Sequence, residues 1–139
     1  YAGFTPADAA AEPWISVNPN HVEINAAEEF DDPDSVYTFY KKLIAMRHNS
    51  ATISTGEWHL LAADSDQVYA FTRTSGDDTI LVIVNLTDKT AQVPAEVAQL
   101  LEDGVGESQV LLSTYDAMHS VKSIARGELA RWEGVVIQL

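Results

Sequence analysis

Five carboxylates crowd one short stretch of the chain, Glu28, Glu29, Asp31, Asp32 and Asp34. Acids at that spacing are what a hard cation or a general acid–base pair would need. The stronger reading is structural, because acids just ahead of a helix cap it and complement its dipole, and no ligand-spaced histidine accompanies them. Asp64, Ser65 and Asp66 lack the glycine and distal glutamate of a calcium loop and read as a turn. His21, His48, His59 and His119 lie far apart, without the i, i+4 pairing of a zinc helix. No serine sits in a G-x-S-x-G turn, and Gly104 and Gly106 do not make a phosphate loop. Asn85-Leu86-Thr87 spells a glycosylation sequon, expected to stay unmodified at the end of a buried strand. Trp14, Trp58 and Trp132, with Tyr69 and Tyr115, could stack on sugar rings, but packing is the commoner use of such residues. The residues therefore assign no catalytic, cofactor-binding or metal position.

The elements that would have to position any chemistry bound the answer further. The chain has 139 residues, 46% of them hydrophobic, enough for a sizeable core. Its 21 Asp and Glu against 8 Lys and Arg give a formal charge of −13, which repels phosphate backbones and argues against a nucleic-acid partner. No apolar run reaches the roughly 18 residues of a membrane span, and no signal peptide opens the chain. The absence of cysteine fits a reducing compartment, and the cytoplasm is the expected one. The first residue is Tyr1 rather than Met, which suggests a processed chain or a piece of a longer one.

Residues 1–32 read as ordered loop, with Asp8 to Glu12 too short for an independent helix. A helix is predicted next, with Asp32 as N-cap, Pro33 at its first position and Asp34 in its first turn. Val36, Phe39, Tyr40, Leu43 and Ile44 fall on one face of it. After Asn49 the period becomes 2 and an antiparallel meander follows, with turns at Asp64-Ser65-Asp66 and Ser75-Gly76-Asp77-Asp78. Residues 79–86 read as a central strand buried on both faces, 95–108 as irregular, and "QVLLSTY" and "GVVIQL" as two further strands. The fold class expected is mainly β: an N-terminal loop and one α-helix, then an antiparallel β-sandwich or Greek-key domain of six or seven strands. The boundaries are 1–33, 34–50 and 51–139.

Several motifs occur together: "AGFT" (2–5), "PWISVNPN" (13–20) with "IN" (24–25), "DPDSVYTFYKKLIAMRH" (32–48), "VYAFTR" (68–73), "ILVIVNLT" (80–87), "LLSTY" (111–115) and "RWEGVVIQL" (131–139). In this order they resemble the oligo-1,6-glucosidase and α-glucosidase branch of the α-amylase superfamily, glycoside hydrolase family 13, over essentially the whole chain. Two departures are Tyr1, where relatives commonly have Asn, and the long alanine-rich stretch Pro6 to Glu12. The resemblance implies a (β/α)8 barrel upstream, its last helix being "YKKLIAMRH", followed by a C-terminal β-domain. It also implies a parent enzyme that is a retaining glycoside hydrolase of oligosaccharides, with its nucleophile and acid/base upstream of this chain. A whole barrel takes about 250 residues, and a retaining glycosidase needs two carboxyls about 5–5.5 Å apart. The chain is thus expected to be inactive alone, to need no cofactor, and to have the upstream barrel as its partner. Without it, the apolar helix face is expected to self-associate. The competing expectations are a carbohydrate-binding module using Trp58 or Trp132, and a free-standing adaptor or a barrel-like, non-catalytic subunit of the transporter-associated type.

Overall fold

The computed structural model describes residues 13–139; the "AGFT" motif and the stretch Pro6 to Glu12 lie outside them. The chain divides into two compact units, residues 1–45 and 46–139.

In the first unit the "NPN" stretch makes a single 3-10 turn, Pro19–Val22. Pro19 opens it with a preset φ, and the Asn18 carbonyl accepts from the backbone N–H of His21 at 3.0 Å. Helix α1, Ala26–Asp31, follows where loop was expected. Asn25 supplies its cap, accepting the Glu28 N–H at 3.0 Å, and Glu28 and Glu29 occupy its first turn. Helix α2, Val36–Asn49, starts later than predicted. The Asp32 carboxylate accepts from Asp34 N–H at 2.9 Å and makes a local turn instead. The cap is Ser35, whose hydroxyl oxygen accepts the Thr38 N–H at 3.1 Å. Glu29 accepts the Tyr37 N–H at 3.0 Å, so the acidic cluster serves helix ends.

In the second unit, α3 (Ala51–Thr55) is capped by Ser50 and stopped by Gly56. The strands are β1 (Glu57–Leu61), β2 (Val68–Ser75), β3 (Asp78–Asn85), β4 (Ala91–Gln92), β5 (Val110–Ser113), β6 (Glu128–Leu129) and β7 (Gly134–Gln138). The meander β1-β2-β3 forms as period-2 alternation predicts, with Gly76 at φ 61° in the β2–β3 turn. Strand β7 then pairs with β3, and β5 with β7, giving an antiparallel sheet of order β1-β2-β3-β7-β5; β4 and β6 pair separately.

The fold is mixed rather than mainly β. Helices α4 (Ala95–Leu100) and α5 (Ala117–Ala125) occupy stretches read as irregular or left unassigned. Pro94 precedes α4, while Asp116 caps α5 by accepting the His119 N–H at 2.8 Å and Gly127 ends it at φ 71°. These helices and the β4–β6 ribbon together make the second layer. Val97, Ile124, Ala91 and Leu129 pack on Leu61, Val68, Ala70, Leu81, Ile83, Val135 and Ile137 of the large sheet.

Gly56 marks the tightest passage. A Cβ there would stand 2.4 Å from the Thr52 carbonyl oxygen and 2.9 Å from that of Thr74, both backbone atoms. Gly56→Ala should lower the unfolding free energy by about 1–3 kcal/mol in urea titrations, the usual cost of forced overpacking.

Candidate functional site

A chain of polar side chains joins α5 to β5 and to the turn just ahead of β7. Glu133 is fully buried, and its carboxyl accepts from the Ser120 hydroxyl at 2.6 Å and from the Ala130 N–H at 2.6 Å. Ser113 Oγ lies 2.7 Å from Ser120 Oγ and in turn accepts the Tyr115 N–H. Since the Ser120 proton goes to Glu133, the Ser113 proton goes to Ser120. His119 stacks on Tyr115 with ring centroids 4.4 Å apart, its Nε2 at 4.0 Å from Glu133 and 3.5 Å from Ser123 Oγ.

Serine, histidine and glutamate are therefore close, but not in the order that activates a nucleophile. A hydrolase places serine on one imidazole nitrogen and the carboxylate on the other. Here both Ser123 and Glu133 lie at Nε2, and the fully buried Ser120 donates straight to Glu133. The cluster satisfies buried polar groups and ties α5 to the sheet.

Asn85 does the same on β3. Fully buried, its amide donates to the carbonyls of Lys89 at 2.7 Å and Ala130 at 2.9 Å, while its Oδ1 accepts from Thr87 N–H and hydroxyl. The amide nitrogen a glycan would need is thus enclosed. The Ala130–Gly134 turn is held from every side, with Trp132 N–H donating to Thr87 O and Tyr115 hydroxyl to Arg131 O. Trp132 sits in it at φ 54°, ahead of β7 rather than in it, and the residue is 58% exposed.

The other tryptophans are not core either. Trp14 is almost fully exposed; Trp58 is 48% and Tyr69 43% exposed on neighbouring strands. Trp58 and Tyr69 share a sheet face with Phe71, Val82 and Val84, opposite the core. Their ring planes cross that of Phe71 at 40° and 52°, so they do not form the flat platform of the sugar-stacking expectation. Arg73 stands on the same face, its Nε buried without a hydrogen-bond partner among the described residues. Helix α3 lies along β2 and β3 at the hairpin end, Thr52 bonding Asp78 there, while Trp58 and Tyr69 farther along that face stay exposed. In the first unit, Val36, Tyr40 and Ile44 form an exposed stripe along α2 and, with Asn25, Glu29 and Tyr37, line an apolar groove of about 500 Å³. Phe39 and Leu43, predicted on the same face, are half-buried.

The histidines remain apart: among the described residues no group of three or more His, Asp or Glu could hold a metal ion. No helix among them is long and apolar enough to cross a membrane. The Ser113-Ser120-Glu133 chain and the Asn85 hub escape sequence reasoning because their partners are up to 45 positions apart.

The comparisons match this architecture. Residues 1–56 match the α-amylase catalytic-domain family, and residues 58–112 the maltogenic amylase C-terminal domain. The chain is 34% identical, over 99% of its length, to an oligo-1,6-glucosidase of Parageobacillus thermoglucosidasius, and 29% identical over its whole length to a glucan 1,6-alpha-glucosidase of Streptococcus dysgalactiae subsp. equisimilis. Among solved structures it resembles isomaltulose synthase from Klebsiella sp. LX3, with a TM-score of 0.72 and 30% identity over 93% of this chain and 22% of that one. Trehalulose synthase MutB from Pseudomonas mesoacidophila MX-45 gives 0.69 and 32%, over 91% and 22%. The chain belongs to the α-amylase family, glycoside hydrolase family 13, as a C-terminal portion of the oligo-1,6-glucosidase-like kind. It spans 23% of the length of each of the two glucosidases just named.

Glu133→Ala strips the acceptor from the Ser120 hydroxyl and the Ala130 N–H. It should lower stability by about 2–4 kcal/mol in urea titrations, since each buried group left unpaired costs about 1–3 kcal/mol. Ser120 and Ser123 should resist labelling by a fluorophosphonate probe in the folded chain.

Proposed function

We propose that the chain is the C-terminal, non-catalytic part of a retaining α-glucosidase of oligo-1,6-glucosidase type, whose parent hydrolyses α-glucosidic bonds in oligosaccharides. Its work is to stabilise the catalytic barrel of the same polypeptide. The observation that carries this reading is the sheet that is apolar on both sides. An antiparallel sheet with one wet face alternates apolar and polar residues. Strands β2 and β3 instead place Tyr69, Phe71, Val82 and Val84 opposite the core, half-buried or exposed, beside Arg73, whose Nε has no partner among the described residues. Such a face suits a further protein layer that brings an acceptor to Arg73.

The same reading assigns 1–33 to the connection after the eighth barrel strand, 34–50 to the last barrel helix and 51–139 to the C-terminal domain. The exposed stripe Val36, Tyr40 and Ile44 on α2 then faces the missing part of the barrel. No residue of this chain takes a catalytic, cofactor or metal role in it. We place the parent in the cytoplasm, a location with which the cysteine-free composition agrees.

Three measurements test the proposal. The reading frame upstream of Tyr1 should encode a barrel with acidic strand ends; a stop codon there would refute it. The 139-residue chain should release no product from p-nitrophenyl α-glucoside. It should also self-associate in sedimentation velocity, because each large apolar side chain withdrawn from water contributes roughly 1.5–3 kcal/mol. The double variant Tyr40→Lys, Trp58→Ser should move it toward monomer.

A further inference from the structure

The core-facing side of the large sheet is apolar at Leu61, Val68, Ala70, Leu81 and Ile83. Its character changes at the hairpin end, where His59 pairs with Thr72 and Thr74 with Thr79 in the strand register. Helix α4 presents Glu96, Gln99 and Leu100 opposite them, at the i, i+3, i+4 spacing of one helical face. Between them lies a cleft of about 380 Å³, within the range of small-molecule sites.

Thr74, Thr79 and Glu96 of this cleft are hydrogen-bonded, while Thr72, Gln99 and His59 make no side-chain hydrogen bond among the described residues. Thr72 is 9% exposed and lines the cleft, its hydroxyl reaching solvent there and making no protein hydrogen bond among the described residues. Thr74 and Thr79 bond one another at 3.1 Å, and Glu96 uses Oε2 on the Ala62 N–H at 2.7 Å, leaving Oε1 open. The Gln99 amide offers a donor and an acceptor, and the His59 ring adds a third polar group. Leu100 and Leu139 give an apolar wall.

The donor set narrows the ligand. Among the described residues one carboxylate lines the cleft with no second acid, too little for a hard cation. No Lys or Arg among them lines it, so an anion finds no permanent counter-charge. Mixed donors and acceptors beside leucine side chains suit a ring that carries hydroxyls on its edge and C–H groups on its face. We propose that this cleft binds a neutral polyhydroxylated ring of monosaccharide size, with Thr72 Oγ1, the Gln99 amide and Glu96 Oε1 meeting its hydroxyls.

Saturation-transfer NMR on the 139-residue chain, with D-glucose as probe, tests this. Transfer to glucose is expected, with affinity falling about three- to tenfold in Thr72→Val and in Gln99→Ala, the loss of one hydrogen bond each. Thr72→Val keeps the side-chain shape; should it unfold, Gln99→Ala, on an exposed helix position, decides alone. No transfer at tens of millimolar glucose, unchanged affinity in the folded variants, or displacement of glucose by inorganic phosphate would overturn the proposal. So would binding lost in Trp58→Ala but kept in Thr72→Val, which would move the sugar to the opposite face.

Discussion

The second unit depends on two fully buried polar side chains that converge on one turn. Asn85 from β3 and Glu133 from the approach to β7 both bond the backbone of Ala130, one at its carbonyl and the other at its N–H. Buried amides and carboxyls are tolerated only when paired, and here each pairing specifies position. Through Asn85 the turn is tied to the centre of the sheet. Through Glu133 and Ser120 it is tied to α5, and through Thr114 and Tyr115 to the end of β5. The crossover that inserts β7 between β3 and β5 is thereby locked by hydrogen bonds rather than by apolar contact alone.

With that lock in place, the two faces of the sheet have different fates. One is covered by α4, α5 and the β4–β6 ribbon and forms the core. The other carries residues equally apolar and has α3 along only part of it. The family match passes from catalytic to C-terminal domain between residues 56 and 58, just where β1 begins.

Much of this was legible. Period-2 alternation and Gly76 specified the meander, and i, i+3, i+4 spacing specified α2, because both signals are local. The start of α2 was misplaced because Asp32 and Ser35 are both competent caps, and only the fold shows that Asp32 bonds Asp34 while Ser35 bonds Thr38. Helix α5 carried its own punctuation, Asp116 at one end and Gly127 at the other, and could have been found. The role of Glu133 could not, since Ser120 and Ala130 become its partners only after the β6–β7 turn closes. The cleft beside α4 was equally hidden: Thr72 reads as an ordinary strand threonine until Gln99, 27 positions on, is brought opposite it.

The exposure of Trp132 in its turn at φ 54° has a spectroscopic corollary. Together with Trp14 and Trp58 it leaves every indole of the chain at least partly in water. Emission from the folded protein should already be red-shifted and should change little when the interior melts. Tryptophan light in this molecule reports on what touches its surface, while the integrity of its interior must be followed by circular dichroism or amide exchange.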